Sequence, residues 1–207
     1  INALHALNGE RVTKYALATE AAAIELDVLE RSMGKQDHFA AAYGSFNVYT
    51  FNADETVTVE PVYYDPDVVE SLNSSLMLFY MGDQRDASGV LKAQAAVADE
   101  KQGVLSAMCD MVDPMVEILS GRGDLSDVGP MLHESWMLKR SITEQVSNDE
   151  IDTAYGRAME AGAAGGKLAG AGGGGFLMFF VEPSRQQEVA TALTGMPFIK
   201  PRFDTAG

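Results

Sequence analysis

One glycine-rich stretch constrains this chain more than any other part of its sequence. Residues 162 to 175 read GAAGGKLAGAGGGG and hold eight of the chain's 20 glycines. Glycine loses the most conformational entropy on folding. A run of this density is therefore expected only where the backbone takes positive φ angles or approaches another group too closely for a β-carbon. A phosphate is the usual group of that kind. The apolar run at residues 176 to 181, which follows directly, predicts a buried strand.

Two common phosphate-binding loops do not fit this stretch. The Walker pattern needs a glycine six residues before the lysine and Ser or Thr directly after it, where this chain has Ala161 and Leu168. Gly170, Gly172 and Gly175 do spell G-x-G-x-x-G, but that fingerprint follows a strand and opens a helix, whereas here a helix precedes and a strand follows. A flexible linker is the structural alternative, and the absence of serine argues against it.

The composition limits the class of partner. The chain has 207 residues and is 46% hydrophobic, enough for one large domain or two small ones, and no run approaches the length of a membrane span. Its net charge of −15 argues against nucleic acid or an anionic membrane as partner, since both are bound through clustered Lys and Arg. The one cysteine, Cys109, forms no internal disulfide and favours a reducing compartment. We therefore expect a cytoplasmic protein, with Cys109 in the core.

The first part of the chain predicts helices followed by a hairpin. A helix over residues 1 to 8 ends at Gly9, and Thr13 caps a second helix. The apolar face of this second helix is predicted from residues at helical spacing, namely Leu17, Ala21, Ile24 and Val28. Asp37 precedes a short helix, and residues 46–51 and 56–62 form a hairpin with one solvated face. The turn residues YYDPD predict a domain boundary near residue 65.

The second part alternates strands with a long helical insertion. Strands are predicted at residues 76–80, 176–181 and 198–203. Helices are predicted at residues 87–102, 104–119, 126–142, 147–162 and 185–193. Ser147 and Glu150 form a capping box at the start of the fourth of these helices. The order predicts an α+β layer domain rather than a doubly wound sheet.

Four segments of the chain resemble the GHMP small-molecule kinases, and most closely their sugar-1-kinase branch, which includes the heptose 7-phosphate kinases. They are MGKQDHFAAAYG (33–44), FYMGDQRDAS (79–88), HESWMLKRSI (133–142) and AGAAGGKLAGAGGGGF (161–176). The resemblance extends along essentially the whole chain. His38, Ser45 and Met81 depart from the Gln, Gly and Thr that are usual in the branch.

The resemblance implies a fold and a missing segment. The fold is the α+β GHMP kinase fold, with a partial N-terminal domain containing a left-handed β-α-β crossover at residues 1–65. A ferredoxin-like C-terminal domain with inserted helices is implied at residues 66–207. The family's serine-rich phosphate loop, P-x-x-x-G-L-G-S-S, is expected shortly before Ile1 and is not in the sequence.

The resemblance also implies an activity. It is an ATP-dependent transfer of a phosphoryl group to the anomeric hydroxyl of a sugar or sugar phosphate, with Mg²⁺ accompanying the ATP. The implied substrate is D-glycero-D-manno-heptose 7-phosphate, converted to the 1,7-bisphosphate. Fucokinase, galactokinase and mevalonate kinase chemistry stay open, as does a non-catalytic sugar-sensing module that keeps the fold. A homodimer is the oligomer considered.

Residues of the first motif match the acceptor side of the family's active site. Asp37 matches the catalytic aspartate, and an Asp held anionic at a helix start would orient the sugar hydroxyl and accept its proton late. The alternative for Asp37 is a helix cap. Glu25 matches the acidic residue that binds magnesium, and its alternative is a solvated helix face. Lys35 and Gln36, which directly precede Asp37 in the same segment, are assigned to substrate binding.

Residues of the later motifs match phosphate-binding groups. The amides of five glycines in the last of the four segments would line the phosphate cavity of the nucleotide, and Lys167 would reach the same charge. These glycines are Gly170, Gly172, Gly173, Gly174 and Gly175. Arg85, Lys139 and Arg140 are candidates for binding a sugar phosphate, since cations near one site would offset the acidic chain. The alternative for these three is a surface cation paired within the helices.

Overall fold

The structure is a computed structural model that describes residues 1–82 and 87–203. The chain divides into two compact units. The first contains Ile1–Tyr63 together with Phe203, and the second is Tyr64–Arg202. The assignment of separate functions to domains 1–65 and 66–207 stays a prediction.

The first unit consists of helices and one hairpin. Its elements are α1 (Asn2–Leu7), α2 (Lys14–Ala23), α3 (Gln36–Tyr43), β1 (Asn47–Phe51) and β2 (Val57–Pro61). The Thr13 side chain accepts a hydrogen bond from the Ala16 amide and caps α2, as predicted. The antiparallel hairpin has one solvated face, also as predicted. The described residues of this unit contain only this strand pair, so the β-α-β crossover stays a prediction.

The buried face of α2 differs from the predicted one. Ala18 and Ala22 are buried, whereas Ile24 and Val28 are exposed. Ile24 and Val28 belong to a wider π-helical turn, which breaks the helical period and turns them away from the predicted face. Ala18 packs instead with Phe39 of α3, because a small side chain lets the two helices approach closely.

A four-stranded antiparallel sheet organises the second unit. Its strands are β3 (Leu76–Tyr80), β4 (Gly165–Leu168), β5 (Phe176–Phe180) and β6 (Phe198–Ile199), in the order β4-β5-β3-β6. Its helices are α4 (Pro66–Ser75), α5 (Ala87–Ala96), α6 (Gln102–Cys109), α7 (Val112–Leu119), α8 (Val128–Arg140), α9 (Asp149–Glu160) and α10 (Gln186–Ala192). The predicted ferredoxin-like α+β arrangement with inserted helices is confirmed.

Strand β4 was not predicted, because its residues belong to the glycine run. Gly165 and Gly166 are extended and pair with Phe180 and Phe179 of β5. A β-carbon on Gly165 would lie 1.8 Å from the carbonyl oxygen of Gly129 in α8. Glycine is therefore needed here for the close approach of a helix to a strand, and not for a loop.

The helical insertion also differs from the prediction. The single helix expected over 104–119 is two helices, α6 and α7. Pro114 lies in the first turn of α7, where its missing N–H is tolerated, and the chain restarts its helix just before it. Cys109 at the end of α6 is exposed, so its expected core position is wrong. No helix in the described ranges is long and apolar enough to cross a lipid bilayer.

The start of α9 is displaced by one residue from the predicted cap. Asn148 is the N-cap, and its side chain accepts from the Ile151 amide at 3.0 Å. Ser147 instead donates through its hydroxyl to the Asp152 carboxylate at 2.6 Å. The predicted capping box at Ser147 is therefore wrong, because Asn148 takes the capping position.

Candidate functional site

Residues 169–175, here called the glycine loop, connect β4 to β5. Four of its glycines have positive φ, with values of 86° at Gly170, 131° at Gly172, 76° at Gly173 and 101° at Gly175. Residues 172–175 are buried. A β-carbon on Gly172 would lie 3.0 Å from the backbone of Val146. Both the conformation and the packing of the loop therefore require glycine.

A few hydrogen bonds fix the glycine loop. The Gly173 amide donates to the Val146 carbonyl at 3.0 Å, and the Gln94 side chain donates to the Ala171 carbonyl at 3.1 Å. In the described part of the chain, the amides of Gly172 and Gly174 donate to no acceptor. The amides of Gly170, Ala171 and Gly175 likewise donate to no acceptor among the described residues. Gly172, Gly174 and Gly175 are buried, whereas Gly170 is exposed. Buried amides without partners are rare, so those of the three buried glycines suit an anion.

Two lysines lie beside the glycine loop. The Lys139 ammonium on α8 donates to the Gly170 carbonyl, and the Lys167 ammonium on β4 donates to the Ser135 hydroxyl at 3.4 Å. Burial, and then repulsion from Lys167, lowers the pKa of Lys139 to about 8, and burial also lowers the pKa of Lys167.

Neither lysine forms an ion pair within the described residues. Buried charges are ordinarily paired, so two neighbouring ammonium groups without a carboxylate favour an anionic ligand. The predicted residues Lys139 and Lys167, assigned from sequence to two different ligands, thus lie together at one end of the glycine loop. Ser135 was missed from sequence, although it stands one helical turn before Lys139.

Arg140, a second predicted cation, differs from Lys139. The Arg140 guanidinium already pairs with the Asp152 carboxylate at 2.5 Å and lies 6.0 Å from the centre of the Trp136 ring. This is the paired state that the sequence left open as an alternative. Arg85 lies outside the described residues.

A surface pocket of about 280 Å³ adjoins the glycine loop. Gly173 and Gly174 form one wall, and the start of α9 forms another. The start of α9 contributes Asn148, Asp149, Glu150 and Ile151, and Met81 completes the lining. The pocket places the buried part of the loop within reach of a ligand.

The residues of the first motif lie in the first unit. Asp37 is in the first turn of α3 and is exposed, and no side-chain cap is formed at that helix start. The Lys35 ammonium pairs with the Glu55 carboxylate at 2.9 Å. Lys35 and Gln36 line an open pocket of about 540 Å³, together with residues of the β1–β2 turn. Within the part of the chain that the structure describes, the Asp37 carboxylate has no hydrogen bond or ion pair, and it directly follows two residues of a pocket wall.

Glu25 lies in the π-helical turn, 3.6 Å from the Arg31 guanidinium. The described residues contain no cluster of three or more His, Cys, Asp or Glu that could hold a metal ion. Mg²⁺ in kinases is bound by one or two carboxylates and by substrate phosphates, so a single half-buried Glu fits that role.

Comparison with known proteins identifies the second unit. The family described as GHMP kinases C terminal matches residues 111–196, which include the glycine loop and both lysines. The chain carries a GHMP kinase C-terminal domain. The resemblance found in the sequence is confirmed, and so is the GHMP kinase fold.

Several proteins that share the GHMP kinase fold are similar over nearly all of this chain. A D-glycero-alpha-D-manno-heptose 7-phosphate kinase of Campylobacter jejuni is 32% identical over 183 residues, which cover 87% of this chain and 53% of that protein. A mevalonate kinase of Pyrococcus horikoshii is 30% identical over 205 residues, covering 96% and 58%. The crystal structure of a D-glycero-D-manno-heptose 1-phosphate kinase from Bacteroides thetaiotaomicron has a TM-score of 0.71 at 28% identity, covering 98% and 56%. The chain thus spans little more than half the length of these GHMP relatives.

Proposed function

We propose that the whole protein is an ATP-dependent sugar kinase whose acceptor is a sugar phosphate of the heptose 7-phosphate kind. The observation that carries this proposal is the glycine loop, several of whose amides have no acceptor within the described residues and which lies beside the ammonium groups of Lys139 and Lys167. The names of the heptose phosphate kinases among the relatives support the substrate class.

The glycine loop suits the phosphates of ATP. Phosphoryl transfer has a loose transition state with charge spread over the phosphoryl oxygens, so catalysis depends on fixed groups that neutralise this charge. Backbone amides of the loop can approach the oxygens closely, because no β-carbon intervenes. Lys139 and Lys167 would gain the anionic partner that the described residues do not supply.

Asp37 would act on the acceptor. The exposed carboxylate at the start of α3 can accept a hydrogen bond from the sugar hydroxyl. As the hydroxyl oxygen bonds to the γ-phosphorus, the bond to the ADP oxygen breaks and the hydroxyl proton passes to Asp37. Lys35 and Gln36 would contact the sugar from the adjoining pocket wall. Mg²⁺ held by Glu25 and the phosphates would supply further charge neutralisation when bound.

The net charge of the chain favours a dedicated phosphate site for the acceptor. A charge of −15 repels a sugar phosphate at long range, so a phosphorylated acceptor needs local cations whereas a neutral sugar needs none. Because Lys139 and Lys167 are assigned to the phosphates of ATP and Arg140 pairs with Asp152, Arg85 is the remaining candidate from the sequence for this site.

A substrate panel tests the proposal. ATP consumption by the whole protein would be measured with heptose 7-phosphate, the unphosphorylated heptose, galactose, fucose and mevalonate. We expect the highest kcat/KM with the phosphorylated heptose. Preference for galactose or fucose would overturn the sugar phosphate assignment. Sugar binding without turnover of any acceptor would instead support the sensing module.

A further inference from the structure

The segment 143–148 between α8 and α9 is tied to both helices through one carboxylate. Asp152 accepts from the Arg140 guanidinium of α8 at 2.5 Å through one oxygen. Its other oxygen accepts from the Ser147 hydroxyl at 2.6 Å. Asp152 therefore joins two helices and the segment that connects them.

The same segment holds the glycine loop. Val146, next to Ser147, is fully buried, and its carbonyl accepts from the Gly173 amide at 3.0 Å. Gly172 packs against the Val146 backbone closely enough to leave no room for a β-carbon. Glycines have no side chains to anchor them, so the loop depends on such backbone contacts for its position.

We propose that Asp152 is a positioning residue that fixes the glycine loop through Ser147 and Val146, and that Arg140 serves this bridge rather than the sugar phosphate. This inference rests on the proposed function only for the identity of the ligand. Removal of the carboxylate leaves Arg140 without its partner and Ser147 without its acceptor. The Val146 carbonyl can then shift away from Gly173, and the loop amides lose their fixed direction.

The test combines a structural and a kinetic measurement on the whole protein. Asp152→Ala and Arg140→Ala are compared with wild type by steady-state kinetics and by hydrogen exchange of the Gly173 amide, which is bonded to the Val146 carbonyl and whose rate is here called loop exchange. We expect loop exchange to become at least about tenfold faster, because the loop loses local stability equal to the net contribution of about one hydrogen bond. We expect the KM for ATP to rise in parallel, with a smaller change in the KM for the sugar.

Two further variants distinguish a positioning role of Asp152 from a general loss of stability. Ser147→Ala removes only the link to the segment and should speed loop exchange while leaving the Arg140–Asp152 pair in place. Glu117→Ala breaks a comparable pair with Arg122, whose atoms lie 2.7 and 2.8 Å apart, and should leave loop exchange unchanged. If Asp152→Ala does not fold, Ser147→Ala carries the test alone.

Unchanged loop exchange in folded Asp152→Ala or Ser147→Ala would overturn the inference. A rise in the KM for the sugar phosphate alone in Arg140→Ala, with unchanged loop exchange, would also overturn it and make Arg140 a substrate ligand. Absence of any kinase activity in the wild type would refute the proposed function, whereas the exchange measurement would still decide the role of Asp152.

Discussion

The ammonium group of Lys139 donates to the carbonyl oxygen of Gly170, at the start of the glycine loop. Lys139 is half-buried next to Lys167, and within the described residues its charge has no carboxylate partner. The described part of the chain thus keeps two neighbouring cations without an anion between them. An anionic ligand would relieve their repulsion, and several predictions about charge and pH depend on this relationship.

Anion binding is expected to weaken as the pH rises through about 8, because the pKa of Lys139 is lowered to about 8 and the group is neutral above it. Calorimetric titration with pyrophosphate on either side of this pH measures the effect. Lys139→Met should bind more weakly and lose this pH dependence. An unchanged pH dependence in the variant would assign the titration to another group.

In the absence of a ligand, the free energy of unfolding changes with pH in the opposite direction to anion binding. Between about 8 and the ordinary pKa of 10.5, the unfolded chain holds a proton on Lys139 that the folded chain has released. This group therefore makes the free energy of unfolding rise with pH across that window. Urea titrations of wild type and Lys139→Met at both ends of the window would measure the difference.

Asp37→Asn is expected to lower kcat of the whole protein by on the order of a hundredfold or more, because the amide cannot accept the hydroxyl proton. ATP affinity should stay within a few-fold, since the carboxylate acts on the acceptor. The melting temperature serves as the control, because Asp37 is exposed and caps no helix through its side chain. Unchanged turnover would remove Asp37 from the reaction.

Gly172→Ala is expected to disrupt the glycine loop, because its φ of 131° is unfavourable for alanine and the new β-carbon would contact the Val146 backbone at 3.0 Å. Overpacking of this kind costs about 1–3 kcal/mol, and ATP affinity should fall with it. Gly156→Ala in α9 is the matched control, since its β-carbon would meet nothing within 4 Å. That change should stabilise the helix by roughly 0.5–1 kcal/mol. Equal behaviour of the two variants would contradict a special requirement at Gly172.

Helix α1 is expected to loosen as the pH rises through the raised pKa of His5. The two ring nitrogens of His5 lie 2.6 Å from a Glu20 oxygen and 2.5 Å from a Glu10 oxygen, and these contacts raise the pKa of the histidine. The stabilisation is complete below the ordinary value of 6.5 and is lost as pH rises through the raised pKa. Amide exchange of α1 relative to α3 measures it, and His5→Gln should abolish the pH dependence.

The sequence predicted strands and helices best where one element buries a continuous apolar pattern. Strands β3 and β5 are apolar runs that pair with each other, and both were predicted. Strand β4 has no such pattern, because its glycines are required by Gly129 of a distant helix. Similarly, Ala18 and Ala22 are buried through helix packing that local spacing does not encode.

The sequence predicted which residues belong to the candidate site, but it did not predict which of them lie next to one another. Lys139 and Lys167 were assigned to separate ligands, since only the packing of α8 on β4 brings them together. The pairing of Arg140 with Asp152 joins two helices and is likewise non-local. The roles of Asp37, Glu25 and the glycine loop in catalysis stay predictions.

The close approach of Gly129 to Gly165 sets the spacing of the two cations. Lys139 is carried by the same helix as Gly129, and Lys167 by the same strand as Gly165. A larger residue at either glycine would push helix and strand apart and so separate the two ammonium groups. The charge density offered to an anion is therefore tuned by two residues that carry no charge and have no side chain.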